Sequence, residues 1–199
     1  MLADALEVNQ RLRPDVVVLD EALPRAVLEG ISSTSATVFP AVPVLLEALA
    51  QLVPPLPGLA SLRTVISAGA PLPVSLEQAV FNAAGIKLHN FYGSSECGGI
   101  AYDAEATPRT DEACAGAPMR NVQVALNGDG CLEVRSPAVG QTYWPAPAET
   151  LAGGCFQTSD LAEIKDGGHP ILTASDDDRI EIIAQFQQAS ASGAAVINL

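Results

Sequence analysis

Residues 91–99 read FYGSSECGG and carry more information about this chain than any other segment. They follow the apolar run GIKLHN at 85–90, which predicts a short buried strand that leads into a turn. We expect this glycine-flanked turn to present an aromatic ring, two hydroxyls and one carboxylate side by side. Such groups can stack a flat ring, bond a phosphate or carbonyl oxygen, and offer an oxygen ligand to a divalent cation.

The composition describes an acidic globular protein. Of 199 residues, 48% are hydrophobic, which is enough for one substantial core. The net charge of −13 argues against nucleic acid or an anionic membrane as partner, since both require a basic protein face. No apolar run of transmembrane length and no signal-peptide core is found. The four cysteines are widely spaced without a CxxC pair, which predicts reduced thiols, no zinc site and a cytoplasmic location.

The first 105 residues alternate strand patterns with helical patterns, as in a parallel or mixed α/β sheet. In chain order the sequence predicts a helix at 2–12, a strand at 16–19, a helix from 24 to 29, a strand at 35–39, a helix at 43–52, a proline-rich loop at 54–58, a strand at 62–67 and a helix at 75–84. Gly85 follows the last helix and is typical of a helix C-cap.

Beyond residue 105, short strands separated by turn residues predict a small antiparallel β unit. These strands are expected at 122–126, 132–135, 155–158 and 161–165. The chain is therefore expected to contain an α/β unit at 1–105, a small β unit at 106–180 and a C-terminal tail at 181–199. The predicted fold class is α/β, with a mixed sheet flanked by helices and a small antiparallel β subdomain.

The order of several segments resembles the adenylate-forming superfamily of acyl- and aryl-CoA ligases, peptide-synthetase adenylation domains and luciferases. Residues 91–96 are similar to its Tyr-Gly-x-Ser/Thr-Glu signature, and the similarity extends from about residue 14 to residue 180. The other segments that carry it are 36–43 (ATVFPAVP), 62–73 (LRTVISAGAPLP), 116–118 (GAP), 153–161 (GGCFQTSDL) and 172–180 (LTASDDDRI). The resemblance implies a truncated portion of the large N-terminal domain of such an enzyme.

The sequence departs from the family pattern in the parts that handle ATP. The 199 residues contain no glycine-rich phosphate loop ending in lysine, and the family's mobile C-terminal domain is missing as well. Ser175 stands where the hinge arginine is expected, and Ser159 replaces a glycine of the ribose-binding motif. We therefore expect no required cofactor, little residual binding of AMP or of ATP with magnesium, and no ATP-driven activation of a carboxylate.

The resemblance also implies a set of substrate- and nucleotide-binding residues. Tyr92 would stack a flat ring, unless it is a core tyrosine. Ser95 and Glu96 would bind phosphate and magnesium, or Glu96 would be a structural acceptor. Because one carboxylate is too few ligands, no metal site is assigned. Asp160 would bind ribose hydroxyls or, like Glu96, would be a structural acceptor. The full set is Ala68, Gly69, Ala70, Tyr92, Gly93, Ser94, Ser95, Glu96 and Asp160.

Cys97 and His89 are the candidate catalytic residues. A thiol that is activated by a base can form a thioester, and the two residues lie close in sequence at the expected pocket rim. The alternative is that Cys97 is a small buried hydrophobic residue and His89 a hydrogen-bonded strand histidine.

The leading functional hypothesis is a truncated acyl- or aryl-CoA ligase homologue that handles a thioester without ATP, by acyl transfer from CoA to a carrier-protein thiol. The alternative is a non-catalytic substrate-binding or partner subunit, or a fragment of an ATP-dependent ligase. The expected partners are an acyl- or aryl-CoA as substrate and an acyl carrier protein. An apolar face left by a missing half-domain would also predict a homodimer or a partner subunit.

Overall fold

A computed structural model describes residues 17–19, 23–52, 59–143, 149–165 and 168–172. Within these ranges the chain forms two sheets, with the helices all in its first part. None of these described helices is long and apolar enough to cross a membrane.

The first sheet has the strand order β1-β2-β3-β4-β5. Strands β1, β2 and β3 are parallel to one another, whereas β4 and β5 continue the sheet in antiparallel pairs. Its helices and strands are α1 (Pro24–Thr34), β1 (Val38–Ala41), α2 (Pro43–Ala50), a short 3-10 helix (Leu59–Ser61), β2 (Thr64–Ser67), α3 (Val74–Ala84), β3 (Leu88–Ser94), β4 (Gly98–Tyr102) and β5 (Ala117–Pro118).

Local sequence explains where these helices begin and end. Prolines begin α1 and α2, where the missing amide hydrogen and the fixed φ cost nothing. Gly85 ends α3 in the left-handed conformation, at φ +68°, and its amide donates to Phe81 O.

The two faces of the first sheet differ in burial. One face carries Ala41, Val65 and Leu88, and these pack against Leu46 of α2 and Leu72, which precedes α3. The opposite face carries Pro40, Ile66 and His89, which are neighbours in register on β1, β2 and β3 and remain exposed or half-buried in the described structure. The helices therefore cover one face, and the other is uncovered within the described residues.

The second sheet is antiparallel, in the order β10-β9-β7-β6, with β8 paired to β9. Its core contains Cys97, Ile100, Leu132, Val134 and Phe156, so the hairpin β3–β4 contributes to the core of both sheets. The strands are β6 (Gln123–Leu126), β7 (Cys131–Arg135), β8 (Leu151–Ala152), β9 (Cys155–Lys165) and β10 (His169–Leu172).

The predicted fold class is confirmed, and most predicted elements lie within a few residues of the observed ones. The predicted strand at 16–19 is wrong over 17–19, which form no strand. Val17 and Val18 are 51% and 49% exposed, and the outer edge of β1 has no partner strand in the described structure. The strands predicted at 155–158 and 161–165 form one continuous strand, β9.

Some predictions fall on residues that the structure does not describe. These are the helix at 2–12, the proline-rich loop at 54–58, the hinge segment beyond residue 172 and the tail at 181–199. The division of the chain near residue 105 stays a prediction. We note that β5, at Ala117–Pro118, belongs to the first sheet.

Candidate ligand-binding site

Residues 91–99 form a β-hairpin, whereas the sequence predicts a turn that follows the end of a strand. Strand β3 continues through Ser94, the turn spans 95–97, and β4 begins at Gly98. The hairpin places Tyr92, Gly93 and Ser94 on a strand, whereas Ser95 and Glu96 lie on the turn. The predicted end of the strand at residue 90 was therefore too early, because β4 supplies a pairing partner that the motif pattern does not reveal.

Gly93 is required by the hairpin itself. It pairs with Gly99, and a Cβ atom at Gly93 would lie 2.6 Å from Gly98 O and 3.2 Å from Gly99 Cα. No real Cβ tolerates the shorter of these distances to backbone. The sequence interpretation placed a ligand near this glycine, whereas in the structure the close neighbour is the opposite strand.

Tyr92 and Asp160 bring together two motif segments that lie far apart in sequence, 91–96 and 153–161. The Tyr92 hydroxyl donates a hydrogen bond to Asp160 Oδ2, across a sequence separation of 68 residues. Burial raises the pKa of the Tyr92 phenol above its ordinary value, and the Asp160 carboxylate raises it further. Asp160 itself is exposed, on β9. An exposed carboxylate beside a neutral phenol is suited to hydroxyl-bearing ligands.

Glu96 is held by a second tyrosine. Its Oε1 accepts a hydrogen bond from the Tyr143 hydroxyl at 3.1 Å, and its backbone amide donates to Ser94 Oγ at 3.3 Å. Glu96 is the single carboxylate of the hairpin turn, and no group of three or more His, Cys, Asp or Glu side chains that could hold a metal is found among the described residues. The donor set present does not by itself fit a magnesium ion, which requires several oxygen ligands.

Cys97 lies in the core and not on a pocket rim. It is 0% exposed among the apolar residues of the second sheet. Burial raises the pKa of its thiol, which the 3.3 Å contact with Ser94 Oγ partly offsets. His89 is engaged elsewhere: its Nδ1 lies 2.9 Å from Asp103 O, and its ring stacks on Tyr102. These contacts match the structural alternative, while the catalytic roles of Cys97 and His89 stay predictions.

Residues 68–70 follow the carboxyl end of β2, beside β3. Gly69 has φ +83°, which a residue with a side chain rarely adopts, and the Ala68 amide donates to Ala41 O at 3.0 Å. Since Ser67 pairs with Asn90, this loop lies next to the start of the motif hairpin. Ligands of parallel sheets bind at the carboxyl ends of strands, so the position fits a binding loop.

A buried group of four charged side chains was missed by sequence reasoning. Glu77 of α3 accepts from Lys87 and from Arg109 Nε, the latter at 3.0 Å, and Lys87 Nζ lies 2.5 Å from Asp103 Oδ2. All four residues are at most 8% exposed. A lysine inside the apolar run GIKLHN was the one available signal, because such a lysine needs a buried carboxylate partner.

The fold is that of the N-terminal domain of adenylate-forming enzymes. The chain belongs to the AMP-binding enzyme family, whose profile matches residues 13–144.

Three relatives illustrate the similarity. A feruloyl-CoA synthase of Amycolatopsis sp. is 29% identical over 178 residues, which cover 79% of this chain and 35% of the relative. A long-chain-fatty-acid–CoA ligase of Bacillus subtilis (strain 168) is 25% identical over 183 residues, which cover 84% and 32%. The structure of the amide bond synthetase McbA from Marinactinospora thermotolerans superposes with a TM-score of 0.70 at 33% identity, covering 79% of this chain and 35% of that one. The chain thus spans about a third of the length of these proteins.

Proposed function

We propose that this chain binds the acyl or aryl group of a carboxylic acid or of its CoA thioester. The binding surface is the uncovered face of the first sheet, next to the motif hairpin and the loop at 68–70. The carrying observation is that Ile66, His89 and Tyr102 of this face are only half-buried, and that Ile66 and Tyr102 lie outside the hydrophobic clusters of the described core.

An uncovered apolar face is unusual for parallel strands. Parallel sheets are normally covered on both faces, whereas β1, β2 and β3 are covered by helices on one. Large exposed apolar patches mark ligand or partner sites. The names of the relatives, a feruloyl-CoA synthase and a long-chain-fatty-acid–CoA ligase, support an aryl or acyl ligand.

The proposal assigns no ATP turnover to these residues. Lys87 and Arg109 are buried and paired with carboxylates, so neither is available to a phosphate. Glu96 accepts from Tyr143 and provides one carboxylate. A fragment of an ATP-dependent ligase, with its phosphate contacts supplied from elsewhere, is consistent with this arrangement.

Calorimetric titration tests the proposal. The ligands are feruloyl-CoA, palmitoyl-CoA, ferulate and palmitate, with free CoA as the reference. The variant Ile66→Asp places a carboxylate on the proposed face and is expected to weaken binding at least tenfold, because an apolar ligand would have to desolvate the charge. The control Leu126→Asp changes an exposed leucine on β6, 43% exposed, and should leave binding unchanged. Equal affinity in both variants would contradict the proposed surface.

Acyl transfer to a carrier thiol without ATP is the second candidate. The Ser94 Oγ atom lies 3.3 Å from Cys97 Sγ and offsets part of the effect of burial, which still leaves the pKa of the Cys97 thiol above its ordinary value. In this route the Cys97 thiolate would attack the thioester carbonyl, release CoA as the leaving thiolate, and pass the acyl group to a second thiol. Intact mass after incubation with feruloyl-CoA tests it. An adduct of one acyl group that Cys97→Ala abolishes would support it, and absence of any adduct would remove the covalent route.

A further inference from the structure

The buried charges have a geometry that suggests a task other than stability. Arg109 donates hydrogen bonds from its backbone amide and from all three nitrogens of its guanidinium. The backbone amide and Nε donate to the two carboxylate oxygens of Glu77, at 2.8 and 3.0 Å. Nη1 donates to Glu112 O and Cys114 O, and Nη2 donates to Leu72 O at 2.6 Å. Leu72 belongs to the loop that follows β2, directly after residues 68–70.

The same group also holds the motif hairpin. Lys87 Nζ donates to Leu88 O at 2.6 Å, at the first residue of β3, and pairs with Asp103, which directly follows β4. The Asp103 amide in turn donates to Asn90 O at 2.9 Å. Glu77 links the two halves, since it accepts from both Arg109 and Lys87.

The segment between β4 and β5 connects this group to the second sheet. Ala115 N donates to Pro170 O at 3.1 Å, and Leu172 N donates to Ala113 O at 2.9 Å. One segment therefore contacts the loop after β2 through Arg109 and strand β10 through its backbone.

Stability alone does not account for such a group. Two buried cations and two buried carboxylates have to be desolvated, and well-packed apolar residues often stabilise a fold equally well. Geometry is what an apolar substitute does not reproduce, since four hydrogen bonds from the guanidinium fix the positions of Glu77 and of three carbonyl oxygens.

We propose that Arg109 is a positioning residue, which fixes the loop at 68–73 relative to the motif hairpin through its hydrogen bond to Leu72 O and its pair with Glu77. This positioning role concerns the same ligand site as the proposed function. Its ligand test rests on that function, whereas its exchange test does not.

The decisive variant removes the arginine without leaving a buried charge unpaired. In Glu77→Leu with Arg109→Met, Lys87 and Asp103 remain as a balanced pair, so we expect the protein to fold. Amide hydrogen exchange of residues 68–76 should be about tenfold faster than in the unchanged protein, which is the ratio expected for loss of one hydrogen bond to a charged group. Arg109→Lys, measured in parallel, keeps the charge beside Glu77 but not the fork geometry, and should show the same increase.

The matched control removes a pair of the same chemistry on β7. Glu133→Leu with Arg135→Met deletes the Arg135–Glu133 pair at 2.8 Å, where the arginine side chain is 57% exposed. It should leave exchange at 68–76 unchanged.

The outcomes separate the two proposals. Faster exchange at 68–76, together with weaker binding of feruloyl-CoA or palmitoyl-CoA, supports both. Faster exchange in the variants, when the unchanged protein binds neither ligand, supports the positioning role and overturns the proposed function. Unchanged exchange at 68–76 in either folded Arg109 variant overturns the positioning role, whatever happens to ligand binding.

Discussion

Gly93→Ala is the substitution whose effect the structure defines most closely. The added Cβ would lie 2.6 Å from Gly98 O, where ordinary van der Waals contact begins at 3.4 Å. Gly98 O is backbone, so the hairpin has to open to make room. Such overpacking costs about 1–3 kcal/mol. For a protein of this size, a loss of about 2 kcal/mol lowers the melting temperature by roughly 4–8 °C.

Two other glycines serve as matched controls in the same chain. A Cβ at Gly128 would meet nothing within 4 Å, so Gly128→Ala should be neutral or stabilise by about 0.4–1 kcal/mol. Gly98 has φ +68°, and a Cβ added there would lie 3.5 Å from Ala138 Cβ, which is an ordinary van der Waals contact. Gly98→Ala should therefore cost only backbone strain, about 1–2 kcal/mol. The expected order of stability is Gly128→Ala, then Gly98→Ala, then Gly93→Ala.

The assay is urea unfolding of the three variants, followed by titration with the ligands named above. Gly93→Ala should also weaken binding, because Tyr92 and Ser94 flank the displaced residue. An unfolding midpoint for Gly93→Ala equal to that of Gly128→Ala would refute the steric reasoning.

Three further predictions concern titration and reactivity. Burial raises the pKa values of Tyr92, Tyr102 and Tyr143 above 10.0, so the stability that these side chains contribute is complete below pH 10 and is lost as the pH rises beyond it. The urea midpoint of unfolding should therefore fall less steeply with pH between about pH 9 and 11.5 in Tyr92→Phe than in the unchanged protein. An equal slope in the two proteins would contradict this. In the folded protein, Cys97 should react with iodoacetamide far more slowly than half-buried Cys131, whereas in urea the two thiols should react equally fast. Peptide mass mapping measures both rates, and fast labelling of Cys97 in the folded protein would contradict its burial. Tyr143→Phe removes the donor to Glu96 and should destabilise the protein by about 1 kcal/mol in urea unfolding, whereas no change would mean that the hydroxyl is equally well bonded to water.

Much of the fold could be predicted from local patterns. The alternation of helix and strand, the prolines at helix starts and Gly85 after α3 are local signals, and each matches an observed boundary closely. The prediction of a strand was wrong at 17–19, because β-branched residues favour a strand only where they pack against neighbouring strands.

The site was harder to predict than the fold. The sequence indicated candidate motif residues, whose ligand-binding roles stay predictions, yet the contact between Tyr92 and Asp160 depends on how two sheets pack, which no local pattern encodes. The burial of Cys97 depends on residues of β7 and β9 that are distant in sequence. The charged group around Glu77 was missed for the same reason, since its ion-paired members are 10 to 32 residues apart in sequence.

The most direct test of the central claim is backbone amide NMR of the labelled protein during titration with feruloyl-CoA and palmitoyl-CoA. We predict that the amides of 66–70, 89–96, 102 and 158–161 shift together with one saturation curve, and that free CoA produces smaller shifts. Shifts confined to other residues, or separate saturation curves for the hairpin and for Asp160, would contradict a single ligand site at this position.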